Sequence, residues 1–323
     1  MFDSILVPLD GSQLAECVLP HAMAIARPFD SEISLLRMLE KNQTGVPGQL
    51  MDLLSWQINK TQASLYLEKA RERLEESKLR SGTAVLEGRV AEGIAAYAQQ
   101  KDIKLIILSS HGRSGLTPWG VSSVSQKIIL SAPTSVLIVR AHQQTARADE
   151  PSETPAYPRI LVPLDGSQRA ENVLPAITQL ARFHKSQIHL MHVIQRPEMA
   201  RQMPPAPEDI ELSNKVVERN REEAGRYLEE VKSRSSLDGI KVQTHLLTSD
   251  NACVELHRLV EQENIGLVAM NAHGHSGNQQ WPYGSLVNNF ILYGKVPLLI
   301  LQDLPAKQES RSSELTAAER SER

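Results

Sequence analysis

Short runs of consecutive apolar residues alternate along the chain with longer stretches in which apolar positions recur every three or four residues. The first run, SILVPL at 4–9, has the unbroken apolar character of a strand buried on both faces. Ser12 then stands where a helix cap belongs, ahead of Leu14, Cys17, Val18, Ala22 and Ile25 at helical spacing. Pro20 falls inside that stretch and is expected to kink the helix rather than end it. Further strands are predicted at 33–39, 83–86, 103–108 and 135–139. The intervening helices are predicted at 49–79, with Leu67, Ala70 and Leu74 on one face, and at 90–100 and 122–130. The second half follows the same order, with strands near 160–164, 188–193, 241–246, 267–270 and 298–301 and helices between them, including 215–231. Strands alternating with helices imply parallel sheets covered on both faces, that is, doubly wound α/β domains with five strands each.

The halves also match letter by letter. Residues 5–20 read ILVPLDGSQLAECVLP and 160–175 read ILVPLDGSQRAENVLP, so Asp10 and Asp165 correspond. A second echo pairs LIILSSHGRSG at 105–115 with LVAMNAHGHSG at 267–277. This is a duplicated domain, the first copy spanning 1–141 and the second 159–303. Residues 142–158 are polar with three prolines and read as a linker. The charged stretch 304–323 reads as a disordered tail.

Composition narrows the classes. With Lys+Arg 35 against Asp+Glu 38 and 4% aromatic residues, the chain lacks both the basic surplus and the stacking platforms of a nucleic-acid binder. No apolar stretch approaches the length of a membrane span, and no leader pattern precedes the first strand. Cys17 and Cys253 lie far apart with no CxxC, which fits a reducing, cytoplasmic setting and no cysteine metal site.

In a doubly wound sheet, ligands bind at the carboxyl ends of the strands. Two features of each copy fall there. One is the strand-one segment PLDGS, whose aspartate is placed to accept hydrogen bonds from ribose hydroxyls. The other is the glycine-containing loop after strand four, 109–123 in one copy and 271–285 in the other, which leads into a helix and offers backbone N–H groups to an anion. Asp10 and Asp165 have an alternative role as turn and cap residues, and the loop glycines one as tight-turn residues. His111 and His273, at matched positions, are assigned structural roles, because no acid or nucleophile is spaced with them. His273 and His275 lack a third metal ligand. Arg113 is read as a solvated loop charge, with phosphate contact as the alternative. Cys17 is read as a small core residue. The helix carrying Trp56, Tyr66 and Leu67 is read as core packing, with a partner-binding face as the alternative. Residues 43–49 and 199–207 are read as connecting loops, the latter beside the cleft.

The VPLDGS strand, the loop after strand four and the final PxSVLIV-type strand, in order and twice, resemble the universal stress protein family. The resemblance covers 1–140 and 159–302. It implies strand order 3-2-1-4-5 in each domain, with the fifth strands meeting antiparallel so that one chain imitates a homodimer. Dimerisation of the whole chain is a further expectation. ATP-binding members of the family carry G-x2-G-x9-G-(S/T). The second copy presents Asn271, Gly274, Gly284 and Ser285 at these positions, and the first presents Ser109, Gly112, Ser122 and Ser123. One glycine is thus replaced in the second copy and two in the first, so the expectation is stronger for the second. By the same resemblance Pro163, Asp165, Val193 and Met270 would surround the adenosine. Their counterparts are Pro8, Asp10, Met38 and Leu108. The implied function is a cytoplasmic stress-response module that binds ATP or another adenine nucleotide, with Mg2+ as a candidate companion, and acts on a regulatory protein partner. The alternatives are a slow ATPase in the same cleft and a nucleotide-free scaffold.

Overall fold

The computed structural model describes residues 1–40, 50–113, 115, 120–141, 157–197, 206–234, 237–274 and 282–302. The expected loop 43–49, nearly all of 199–207, His275, residues 142–156 of the expected linker and the expected tail lie outside this set. In the first copy, β1 (Ser4–Pro8), β2 (Glu32–Leu39), β3 (Ser81–Glu87), β4 (Leu105–Ser109) and β5 (Ser135–Val139) alternate with helices. These are α1 (Gln13–Glu16), α2 (Val18–Phe29), α3 (Leu50–Glu76), α4 (Val90–Gln100) and α5 (Ser123–Ser131). The second copy repeats them as β6 (Arg159–Pro163), α6 (Gln168–Glu171), α7 (Leu174–His184), β7 (Gln187–Ile194), α8 (Pro207–Lys232), β8 (Val242–Thr248), α9 (Ala252–Gln262), β9 (Leu267–Asn271), α10 (Ser285–Tyr293) and β10 (Leu298–Leu301).

All ten strands form one sheet in the order β3-β2-β1-β4-β5-β10-β9-β6-β7-β8. Each half is parallel, in the expected order 3-2-1-4-5, and the halves join where β10 runs antiparallel to β5, Leu299 opposite Leu137. The edge strand of each copy is therefore covered by the other, which removes the exposed ladder groups that invite aggregation. One apolar layer, with Val18, Ile25, Leu67 and Leu74 from the first copy and Ile177, Leu180 and Leu228 from the second, lies under α2, α3, α7 and α8. The other layer, with Ile94, Ile129, Leu256 and Phe290, lies under α4, α5, α9 and α10.

The strand-one helix differs from the expected kink: it is broken in two. A proline ring clashes with the carbonyl four residues back. For Pro20 and Pro175 that residue is Glu16 and Glu171, where α1 and α6 end. The hydroxyls of Ser12 and Ser167 accept from Ala15 N and Ala170 N as caps. α8 begins eight residues before the expected start, and Pro207 in its first turn, followed by Glu208 and Asp209, explains this: proline is pre-organised there and acids favour the positive helix end. The end of the expected linker is not solvated. Tyr157 is buried at φ 43° and its hydroxyl lies 2.6 Å from Nδ1 of His21.

Two reciprocal contacts tie the halves together on the opposite face. Arg140, directly after β5, is fully buried. Its guanidinium donates to the carbonyls of Ile291 (2.9 Å) and Phe290 (2.6 Å), in the last turn of α10, and to that of Gly120 (3.1 Å). Tyr283, from the second copy, donates its hydroxyl to Ile129 O near the end of α5 (2.8 Å). Carbonyls in the last helical turn have spare acceptor capacity: Phe290 O also takes Gly294 N (2.8 Å) and Ile129 O also takes Ala132 N (3.4 Å), and each copy adds a side-chain donor to the other's helix end. A Cβ on Gly120 would strike the carbonyl of Leu292, so the backbones meet closely there.

Candidate functional site

Each copy has a cleft at the carboxyl ends of its strands. That of the second copy, about 720 Å³, is lined by all eight residues expected there: Pro163, Asp165, Val193, Met270, Asn271, Gly274, Gly284 and Ser285. That of the first copy, about 620 Å³, is lined by Pro8, Asp10, Met38, Leu108, Ser109, Gly112 and Ser122. Ser123 is exposed and does not line it.

The aspartates are built identically. In the first copy Asp10 Oδ1 accepts from Ser12 N (2.9 Å) and Ser12 Oγ (2.6 Å), and in the second Asp165 Oδ1 accepts from Ser167 N (3.0 Å) and Ser167 Oγ (2.6 Å). Gly11 and Gly166 make this turn possible, at φ 83° and 84°, where other residues are strained. Turn formation, the alternative role, is therefore real, and each aspartate also borders its cleft. Gly112 and Gly274 lie against these carboxylates so closely that a Cβ on either would collide with Asp10 or Asp165. A glycine is required there to bring the strand-four loop onto the strand-one loop.

The clefts differ at the helix that receives the loop. In the first copy Ser122 caps α5: its hydroxyl accepts from Ser125 N (3.1 Å) and donates to Ser125 Oγ (2.9 Å). Ser125 Oγ donates to Ser109 O (2.9 Å), and Ser109 Oγ donates to His111 O (2.6 Å). The two serines that replace glycines are thus buried and consumed internally. In the second copy Gly284 occupies the cap position and offers no side chain, so among the described residues the leading N–H groups of α10 have no side-chain cap. Ser285 and Gly284 border the cleft beside them. Asn271 donates from Nδ2 to His273 O (3.3 Å), holding the loop's start.

The walls differ too. On β2, Arg37 stands where β7 has His192. The Arg37 guanidinium lies over the Tyr66 ring, 5.3 Å from its centre. His192 Nδ1 lies 2.9 Å from Leu164 O, its ring edge-on to Tyr227. Burial, then repulsion from Arg113, lowers the Arg37 pKa. Arg113 is not simply a solvated charge: its backbone N donates to Asp10 Oδ2 (2.6 Å) and its Nη2 to Asp10 O (2.9 Å). Trp56 also lines the first cleft, whereas Leu67 is core, so α3 serves both packing and the site. Cys17 is buried, as expected of a core residue, and burial pushes its thiol up to about 11. His111 is buried, with Nδ1 3.0 Å from Ser110 Oγ, and borders the first cleft. Among the described residues no three metal-ligating side chains converge.

The comparisons with known proteins add the decisive observation: the model of the universal stress protein family matches residues 1–140 and again 156–302. The chain belongs to the universal stress protein family. It is a tandem member, each half a family domain. The universal stress protein YxiE of Bacillus subtilis is 31% identical over 149 residues, covering 43% of this chain and 100% of that protein. Universal stress protein MJ0531 of Methanocaldococcus jannaschii is 28% identical over 141 residues, covering 43% of this chain and 83% of its own length. Among solved structures, a universal stress protein from Archaeoglobus fulgidus superposes with a TM-score of 0.63 at 17% identity, over 94% of this chain and 99% of that one. That likeness extends over nearly the whole chain and shows that its fold is one found among solved structures. No described helix is long and apolar enough to cross a membrane.

Proposed function

We propose that this universal stress protein is a regulatory module that binds an adenine nucleotide, ATP in the first instance, in the cleft of its second copy. The observation that carries this reading is the contrast at the helix start: α10 opens with Gly284 and no side-chain cap, while α5 is closed by Ser122. Uncapped N–H groups at a positive helix end hold an anion without any basic residue. The adenosine would lie across Pro163, Val193 and Met270, with its ribose hydroxyls at Asp165 and its phosphates along 271–274 and Gly284–Ser285. Those residues fit the group in shape and donor chemistry. Mg2+, if it accompanies ATP, would bind through the phosphates, as no described cluster of protein ligands awaits it. The module would act in the cytoplasm, through a protein partner or a second copy of the chain.

Two results test this. The denatured supernatant of freshly purified protein is expected to contain an adenine nucleotide at no more than one per chain, by mass and by absorbance. The substitution Gly284→Ser installs the first copy's cap in the second; a Cβ there meets nothing closer than Ala272 O at 3.6 Å, so it fits. It is expected to stabilise the chain by a few tenths of a kcal/mol and to weaken ATP binding several-fold, because the new hydroxyl competes for the same N–H group. Unchanged ATP affinity in calorimetry would remove the helix start from the site.

A further inference from the structure

Joining β5 to β10 leaves the described ten-stranded sheet with two outer edges, β3 and β8. These edges are equivalent, and the duplication makes each a control for the other. Ser81 of β3 and Val242 of β8 hold the same register, opposite Ile33 and Ile188. The helices above them match as well: Ala63 and Leu67 of α3 are buried, as are Ala224 and Leu228 of α8. Thr83 donates to Glu68 at 2.9 Å, and Thr244 to Glu229 at 3.5 Å. The outward faces of the two helices do not match. α3 shows Leu54, Ile58 and Leu65 to solvent, 64%, 56% and 59% exposed. At the same positions α8 carries Lys215, Arg219 and Arg226, all exposed, the first two paired with Glu211 and Glu223. One copy solvates this face with charge, and the other leaves an apolar stripe on it. At 3.6 residues per turn, the three α3 residues lie within about 80° of Glu68, which marks the side of the helix over β3. The stripe therefore borders the β3 edge.

That edge lacks the devices that blunt a sheet: β3 is 7 residues long, with no proline, lysine or bulge. Ile33 N donates to Arg80 O and Gly88 N to Leu39 O, so even-numbered positions bond inward to β2. The odd-numbered Thr83 and Val85 turn their N–H and C=O groups outward. We propose that this edge pairs antiparallel with β3 of a second copy of the chain, about a two-fold axis at Ala84, with the two α3 stripes packed together over the joint. Thr83 of each copy then bonds Val85 of the other, and both face outward, so the pairing is self-matched. Glu87 falls opposite Ser81 and Arg80 opposite Gly88, so no like charges oppose each other. The contacts of Glu68 with Thr83 and of Trp56 with Glu87 set Leu65 level with Ala84, near the axis, where leucine meets leucine. The same pairing through β8 would bring Arg226 against Arg226. Pairing β3 with β8 would set Leu65 against Arg226 and leave an open-ended filament, whereas the β3 pair closes on itself. The surface does not depend on a nucleotide in either cleft.

Sedimentation equilibrium of the full chain, without nucleotide, is expected to give twice the mass of one chain, with dissociation in the micromolar range. Ile58→Arg together with Leu65→Arg gives α3 the charges of the second copy and is expected to weaken the dimer at least about tenfold, since like charges then meet across the joint. Thr83→Pro removes an outward N–H and no bond to β2, as an edge strand tolerates. It is expected to give a monomer with an unchanged circular dichroism spectrum. Thr244→Pro, at the matched position of β8, is expected to leave the dimer intact. A parent chain that stays monomeric throughout the micromolar range would overturn the proposal. So would a dimer indifferent to the two arginines, one that survives Thr83→Pro, or one that Thr244→Pro dissolves equally.

Discussion

Arg140→Met is expected to cost about 3 kcal/mol of stability, because it takes the buried side-chain donor from the carbonyls of Ile291 and Gly120, while Phe290 O keeps Gly294 N. The guanidinium is 1% exposed and reaches Phe290, Ile291 and Gly120. Among the described residues no carboxylate neutralises it; the negative end of α10 does. Burial lowers its pKa only to about 10, so it stays charged at neutral pH. Methionine fills much of the same volume, yet offers no hydrogen to those oxygens. The loss falls on the seam between the copies, since Arg140 belongs to the first and α10 to the second. The urea midpoint is therefore expected to fall sharply, and proteolysis between the copies to accelerate. Arg140→Lys is expected to recover part of the loss, one charged donor replacing a fork of them. A midpoint within error of the parent chain would mean that water or relaxation satisfies those carbonyls.

The second large effect is acid destabilisation. His21 is buried on α2 at the seam, and burial pushes its pKa from 6.5 down to about 4. His189, stacked on His245 at 2.9 Å between ring nitrogens, is lowered by burial and then by its neighbour. His184, at Ala24 O across the seam, is lowered by burial. The sign follows from the unfolded chain binding protons more readily than the folded one. Stability is complete above pH 6.5 and is lost as pH falls from there toward 4. For His21 alone the full loss is roughly 3 kcal/mol. Urea midpoints at pH 7.5 and pH 5 are expected to differ by several times the change seen in a chain carrying His21→Gln together with His189→Gln. Equal pH dependence in the two chains would show that other groups govern the acid response.

The sequence was most readable where a pattern is repeated. VPLDGS and the loop after strand four, each present twice, located both clefts, and all eight expected residues of the second cleft line it. What escaped depends on contacts between distant residues. A serine in place of a loop glycine gives no sign that its hydroxyl will cap the helix; Ser122 became a cap because Ser125 N lies within reach. Arg140 stands at a strand end like any solvated arginine, and its burial follows only from the antiparallel pairing of β5 and β10. Arg37 interrupts an apolar strand, which was a visible signal, since a strand end facing a cleft can bear a charge that a strand centre cannot. The helix break also had a signal in Pro20 and Pro175, whose ring clash acts four residues upstream rather than at the proline itself.

The central claim is that nucleotide binding follows the second strand-one aspartate and not the first. It is tested most directly by calorimetric titration of ATP into the parent chain, the Asp10→Ala chain and the Asp165→Ala chain, with urea midpoints establishing that each is folded. The account predicts one tight ATP per chain, unchanged by Asp10→Ala and weakened at least about tenfold by Asp165→Ala, the scale of a lost charged hydrogen bond. No binding to the parent chain, or binding that Asp10→Ala removes and Asp165→Ala spares, would contradict it.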